Sequence, residues 1–230
     1  MRALQRVCDA AKDAGLIVIT DAKRGDIGST AEGYAQAYLG RHAPFKSDAV
    51  TVNPYMGMDT LEPFLAAAEA NGKGVVVLAR TSNPGSADFQ TQDMGGAPLY
   101  ARVVEALQPA IERLTGASGW SSLMLVAGAT GPDEARRLRA LAPACLMLVP
   151  GYGAQGSGAA DALAGFVRRG NHLEGGVVNA SRSVNFPEGA AEAGDLGAWQ
   201  SIIAEAIAAA QADLTSLSGV TDRAGTLAGS

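Results

Sequence analysis

The stretch Leu16-Ile17-Val18-Ile19-Thr20-Asp21-Ala22-Lys23-Arg24-Gly25-Asp26-Ile27-Gly28-Ser29-Thr30 decides the fold of this chain. It opens as a continuous apolar, β-branched run, the pattern of a strand buried on both faces of a parallel sheet. It then stops in a charged cluster, so polar chemistry sits at the strand's carboxyl end. The same sequence of events recurs down the chain. Continuous apolar runs predict strands over residues 16–21, 49–53, 74–80, 123–127, 145–150 and 175–179, each closed by Gly, Pro, Asn, Ser or charge. Helical patterns fill the gaps. Tyr100, Val103, Val104, Leu107, Ile111 and Leu114 share one face, with Pro109 expected to bend that helix. Trp199, Ile202, Ile203, Ala206 and Ile207 form a second stripe, and Asp59 can cap a helix that stops at Gly72.

Strands alternating with helices imply β/α units and a parallel sheet. The 230 residues fall within the range of a single (β/α)8 barrel. Only six strands are visible, however, and the chain opens directly on a helix over about residues 4–14. An eight-unit barrel lacking two strands has an open seam with apolar edges. Either the architecture is a different one, or two units precede Met1; with Met1 as the true start, poor folding and no useful activity are expected. Residues 1–214 are read as one incomplete barrel domain and 215–230, small and polar, as a disordered tail.

Composition narrows the function. Apolar residues make up 47% of the chain, and the net charge of −5 argues against a nucleic-acid or anionic-membrane partner. No run approaches the roughly 20 apolar residues of a membrane span, and the amino terminus lacks the apolar core of a signal peptide. Cys8 and Cys145, isolated in apolar contexts, suit a reducing compartment, so a cytoplasmic location is expected. His42 and His172 have no partners at metal-ligand spacing, and no metal site is expected. Arg136, Arg137 and Arg139 read as a solvated helix face.

Asp21 and Lys23, two apart on an extended chain, face the same way at a barrel mouth. A lysine between Asp21 and Asp26 keeps its proton, because neighbouring carboxylates favour the charged form. It is then a poor Schiff-base nucleophile but a well-held proton donor. On spacing alone, a solvated charged turn capping the next helix through Asp26 or Ser29 explains these residues equally well. Two Gly-rich or polar loops follow later strands: Pro150-Gly151-Tyr152-Gly153-Ala154-Gln155-Gly156 and Asn179-Ala180-Ser181-Arg182-Ser183. Their backbone N–H groups and Arg182 suit a phosphate, and they fall where many barrels hold one. Thr81-Ser82-Asn83-Pro84-Gly85 closes another strand; Ser82 can bond a ligand's amide edge, the alternative being a plain turn. Asn53-Pro54-Tyr55, one unit earlier, is read as packing or loop shape rather than contact.

The pattern Asp21-x-Lys23-x-x-Asp26-Ile27-x-x-Thr30 resembles the signature of orotidine 5′-phosphate decarboxylases, and its wording resembles the bacterial type 2 branch. Ser82 with Asn83-Pro84, Gln155 and Arg182 follow in that family's order, so the resemblance covers roughly residues 5–210. It implies a TIM-type barrel, of which the last six units are visible, and conversion of orotidine 5′-phosphate to UMP without metal or organic cofactor. It implies that Asp21, Lys23 and Asp26 belong to a charged array, with Lys23 the proton donor. Asp26 would serve the other subunit of a homodimer, and Ile27 and Thr30 would cross that interface. Ser82 would contact the pyrimidine, and Gln155 and Arg182 the phosphate. The family's ribose-binding Asp and outer Lys, carried on its first two strands, have no counterpart here.

Two other readings share these residues. A magnesium-dependent keto-sugar-phosphate decarboxylase or aldolase of the same superfamily also uses Asp-x-Lys-x-x-Asp, but the Ile27–Thr30 continuation and Ser82-Asn83-Pro84 favour the pyrimidine enzyme. A non-catalytic relative would keep the phosphate loops and bind UMP without turnover.

Overall fold

The computed structural model describes residues 2–153 and 155–218. A helix, α1 (Arg2–Asp13), leads into β1 (Ile19–Arg24), followed by α2 (Gly28–Leu39), β2 (Ala49–Val52), α3 (Glu62–Asn71), β3 (Gly74–Arg80), α4 (Leu99–Arg113), β4 (Ser121–Ala127), α5 (Pro132–Leu141) and β5 (Cys145–Val149). A short α6 (Ala159–Ala162) precedes a hairpin of β6 (Val167–Arg169) and β7 (His172–Glu174). The chain then returns through β8 (Gly176–Val178) to α7 (Arg182–Asn185) and the long α8 (Leu196–Ser218).

The main sheet has six strands in the order β1-β2-β3-β4-β5-β8, every neighbouring pair parallel. It is the curled half of a barrel, with β1 and β8 as its two edges. The two-residue period of a strand divides its side chains cleanly. Val50, Val52, Val75, Val77, Leu123, Leu125, Met147 and Val149 face the helices and join one large core with Leu65, Leu107 and Leu138. The intervening residues Ala49, Val76, Met124 and Val126, with Ile19, Leu78, Leu146 and Leu148, form a smaller cluster on the opposite face. Burying a Val or Leu side chain is worth about 1.5–3 kcal/mol, so the helix-backed layer dominates stability. Val177, paired in register with Leu148 at the β8 edge, is exposed.

The six expected strands are present, with shifts at the ends. β1 begins at Ile19, not residue 16, because Leu16 and Ile17 are 59% and 80% exposed and unpaired in the sheet. The helix expected from Asp59 starts later: Asp59 lies in a 3-10 turn (Met58–Thr60), and α3 is entered from Leu61 without a side-chain cap. Its expected stop holds, with Gly72 at φ 62° in the left-handed region that favours glycine. Arg139 overturns the solvated-face reading of α5. It is 9% exposed, its guanidinium stacks 5.1 Å from the Trp120 ring, and it donates to the carbonyls of Gly165, Pro143, Cys145 and Gly175. Arg136 and Arg137 are exposed. Helix α8 runs through Ser218, taking in the first four residues of the expected tail; residues 219–230 lie outside the described residues.

Candidate active site

The carboxyl ends of the strands gather the singled-out loops. At the first of them, β1 carries two more residues than its partner: Thr20 pairs with Val50, and the next paired residue, Arg24, meets Val52. The excess bulges out Asp21–Lys23 and lets one β2 side chain reach beneath it. That side chain is Thr51, fully buried. Its Oγ1 donates to Asp21 Oδ1 at 2.9 Å and accepts from the Lys23 backbone N–H at 2.8 Å. Lys23 has φ 46°, a conformation sparsely populated by residues with a Cβ and maintained by surrounding bonds. Lys23 Nζ in turn donates to Asp21 Oδ2 at 2.6 Å. The carboxylate is thus held at both oxygens, and the ammonium is fixed against it while both remain half-exposed.

Asp26, Ile27 and Thr30 lie just beyond. Asp26 Oδ1 accepts from the Ile27 N–H at 2.9 Å rather than from Lys23. Ile27 precedes α2 as its N-cap residue without a side-chain cap bond, so neither Asp26 nor Ser29 closes that helix as a cap. Ile27 is 64% exposed, and Thr30 is exposed. Within one chain, therefore, Asp21 and Lys23 are brought together and Asp26 is turned aside. Asn53 behaves as loop shape: its N–H donates to Arg24 O at 2.8 Å, and its Oδ1 accepts from Tyr55 N–H at 3.0 Å.

Ser82, Gly128, Gly151 and Gln155 converge from the ends of three strands. A Cβ placed on Gly151 would lie 2.9 Å from Ser82 Cβ and 3.3 Å from Gln155 Oε1. One placed on Gly128 would lie 2.8 Å from Ser82 Cα, so glycine at both positions permits the approach. Ser82's own carbonyl accepts from Thr130 Oγ1 at 3.1 Å, whereas its N–H and Oγ make no hydrogen bond among the described residues. Two neighbouring hydrogen-bonding groups are left for a ligand. Arg182 opens α7 and is exposed; the next residue, Ser183, lies with its Oγ 3.5 Å from where a Cβ on Gly153 would sit. The Gly-rich loop and the Arg182 turn are therefore neighbours. Tyr152 ties that loop to α8 by donating to Asp213 Oδ2 at 2.7 Å. Burial, followed by the Asp213 hydrogen bond and charge, pushes the Tyr152 phenol up to about 12. Ala154 lies outside the described residues.

Residues 3–195 match the family model for the orotidine 5′-phosphate decarboxylase / HUMPS family. The chain belongs to that family. A Rhodopirellula baltica orotidine 5′-phosphate decarboxylase is 41% identical over 210 residues, 88% of this chain and 68% of that one. A Clostridium novyi orotidine 5′-phosphate decarboxylase is 42% identical over 185 residues, 80% of this chain and 62% of that one. Among solved structures, the Leishmania donovani OMP decarboxylase superposes with a TM-score of 0.63 at 36% identity, covering 90% of this chain and 73% of the other. The chain thus spans about two thirds of the length of these curated relatives. The barrel fold expected from the sequence is the fold of the family, seen here as its six-stranded part.

Sequence reasoning missed Thr51, and also Arg80 and Gln90, whose side chains hydrogen-bond Thr81 beside Ser82. Thr51 is a hydroxyl inside an otherwise apolar strand run, Ala49-Val50-Thr51-Val52, and that polar intrusion was its signal. Arg80 was similarly visible as a cation at the last position of a buried strand. Gln90 had no comparable signal, lying in a polar loop. No group of three or more His, Cys, Asp or Glu side chains suited to a metal ion is found among the described residues. None of their helices is long and apolar enough to cross a membrane.

Proposed function

We propose that this chain carries the catalytic centre of an orotidine 5′-phosphate decarboxylase, forming UMP in pyrimidine biosynthesis. The observation that carries the reading is the Asp21–Lys23 pair, 2.6 Å apart at the mouth of the half-barrel in a chain of this family. Breaking the bond between C6 of the pyrimidine and its carboxylate releases carbon dioxide and leaves the electron pair on C6. The ring delocalises that charge poorly. An ammonium preorganised beside C6 stabilises it electrostatically and then transfers a proton from Lys23 Nζ to the carbon. Asp21 keeps Lys23 aimed and, near the departing carboxylate, disfavours the ground state. Thr51 fixes Asp21.

Substrate binding follows from the remaining loops. Ser82 N–H and Oγ meet the amide edge of the base. Gln155 and Arg182, with backbone N–H groups of the Gly-rich loop, hold the phosphate, whose binding energy orients the ring over Lys23. Asp26, turned away from Lys23 in its own chain, serves the site of a second copy in a homodimer, and Ile27 and Thr30 cross the same boundary. No metal or organic cofactor enters this mechanism. Two buried, free cysteines, Cys8 and Cys145, support a reducing, cytoplasmic setting.

The test is to follow loss of orotidine 5′-phosphate absorbance with and without EDTA. Turnover indifferent to EDTA supports this chemistry. Turnover abolished by EDTA and restored by magnesium would assign the metal-dependent route, and UMP binding without turnover would mark a binding relative.

A further inference from the structure

Ser82's N–H and Oγ, unbonded among the described residues, define the proposed base contact, and the backbone that carries them is gripped by residues assigned no ligand. Thr81 N–H donates to Gln90 Oε1 at 2.9 Å, and Gln90 Nε2 donates to Thr81 Oγ1 at 2.9 Å. A peptide N–H can only donate, so the amide oxygen must face it, leaving the NH2 group for the hydroxyl. The Thr81 hydroxyl passes its own hydrogen to Asn83 Oδ1 at 2.7 Å. The Thr81 carbonyl, the other half of the Thr81–Ser82 peptide, accepts from Arg80 Nη1 at 2.9 Å. Arg80 is itself anchored by Ser86 Oγ and by Glu134 Oε1 at 3.4 Å. Gln90 is tied to the scaffold through its main chain: its N–H donates to Ser86 O at 2.8 Å, and its carbonyl accepts from the N–H of buried Tyr100 at 3.0 Å. The polar groups of Thr81 are thereby all engaged, and the direction of the Ser82 N–H is set by Gln90 and Arg80.

We propose that Gln90 is a positioning residue for base recognition: its side-chain amide fixes the Thr81–Ser82 backbone so that Ser82 meets a uracil-type edge and rejects a cytosine-type one. The inference rests on the Ser82 reading given above. A backbone N–H only donates, so it suits the O4 acceptor of uracil and opposes the amino donor of cytosine. Discrimination of this kind holds only while the donor's direction is fixed.

The experiment measures calorimetric affinities of the full 230-residue chain, wild type, Gln90→Ala and Gln90→Glu, for UMP, CMP and ribose 5-phosphate. Gln90→Ala is expected to lose roughly tenfold in UMP affinity, with an equal fall in the UMP-to-CMP preference and unchanged ribose 5-phosphate binding. Gln90→Glu, whose carboxylate still accepts the Thr81 N–H, is expected to recover most of the preference. An unaltered UMP-to-CMP ratio in Gln90→Ala overturns the proposal, as does a parallel loss for all three ligands, which would mark a loosened fold. Wild-type chain showing no preference for UMP overturns the Ser82 reading itself, and this inference with it.

Discussion

Thr51 Oγ1 donates to Asp21 Oδ1 at 2.9 Å across the β1–β2 pairing, from a position with no solvent exposure. The same hydroxyl accepts from the Lys23 N–H, so a single β2 side chain sets both members of the proposed catalytic pair. Thr51→Val keeps the shape and removes both bonds. Urea unfolding is expected to show a loss of about 1–3 kcal/mol. Turnover of orotidine 5′-phosphate is expected to fall by roughly 10- to 100-fold, because small displacements of a reacting group are costly. Thr51→Ser, which retains the hydroxyl, should stay within about threefold of wild type.

Asp26 gives a prediction about assembly. Its carboxylate bonds to Ile27 N–H and not to Lys23 of the same chain, which fits service in a partner's site. Lys23→Ala and Asp26→Ala chains are each expected to be inactive alone. Mixed under conditions of subunit exchange, they should regain roughly one quarter of wild-type turnover, since half the dimers are mixed and each has one complete site of two. No recovery, with exchange verified by mass, would place Asp26 in its own chain's site.

Arg139 makes a prediction about stability alone. Five carbonyls, from the α5–β5 turn, the first residue of β5, the turn before β6 and the residue before β8, converge on one buried guanidinium, which burial holds below its usual pKa. Arg139→Leu strands those acceptors and is expected to cost about 3 kcal/mol or more. Arg139→Lys should not rescue it, because one ammonium cannot reproduce the planar fork.

These residues also mark how far the sequence could be read. The six sheet strands were legible because parallel strands buried on both faces are unbroken apolar runs, and Gly74–Arg80 was located to the residue. The proximity of Asp21 and Lys23 was legible from their spacing, though not through the extended chain expected, since Lys23 sits at φ 46°. The bulge that carries them was not, because it depends on how β1 registers against β2. Arg139 was misread because three arginines within four residues look solvated, while its fate is set by Trp120 and by carbonyls that arrive from distant segments. The β6–β7 hairpin was missed because Val167-Arg168-Arg169 and His172-Leu173-Glu174 are too polar for a core strand. Yet Gly170-Asn171 between them, with Gly170 at φ 58°, is a recognisable two-residue hairpin turn.

Alkaline pH supplies a further test. Burial pushes the Cys145 thiol up to about 12, against partial opposition from Arg139, and the Tyr152 phenol also reaches about 12. Both groups hold their protons more tightly in the folded chain than in the unfolded one. Stability from these two groups is therefore complete at neutral pH and declines from about pH 9 upward, where the unfolded chain ionises first. Urea midpoints measured from pH 7 to 11 are expected to be flat at first and then fall. Cys145→Ala together with Tyr152→Phe should flatten the decline, and a native Cys145 should resist thiol reagents at pH 8.

The most direct test of the account is single-turnover decarboxylation by Lys23→Ala alongside UMP affinity for the same protein. The expected result is a loss of at least about a thousandfold in rate, with UMP binding changed by less than about fivefold, since the ammonium acts on charge that develops only as carbon dioxide leaves. A variant that still decarboxylates at more than about a tenth of the wild-type rate would contradict the assignment of Lys23 as the group that stabilises and protonates the carbanion.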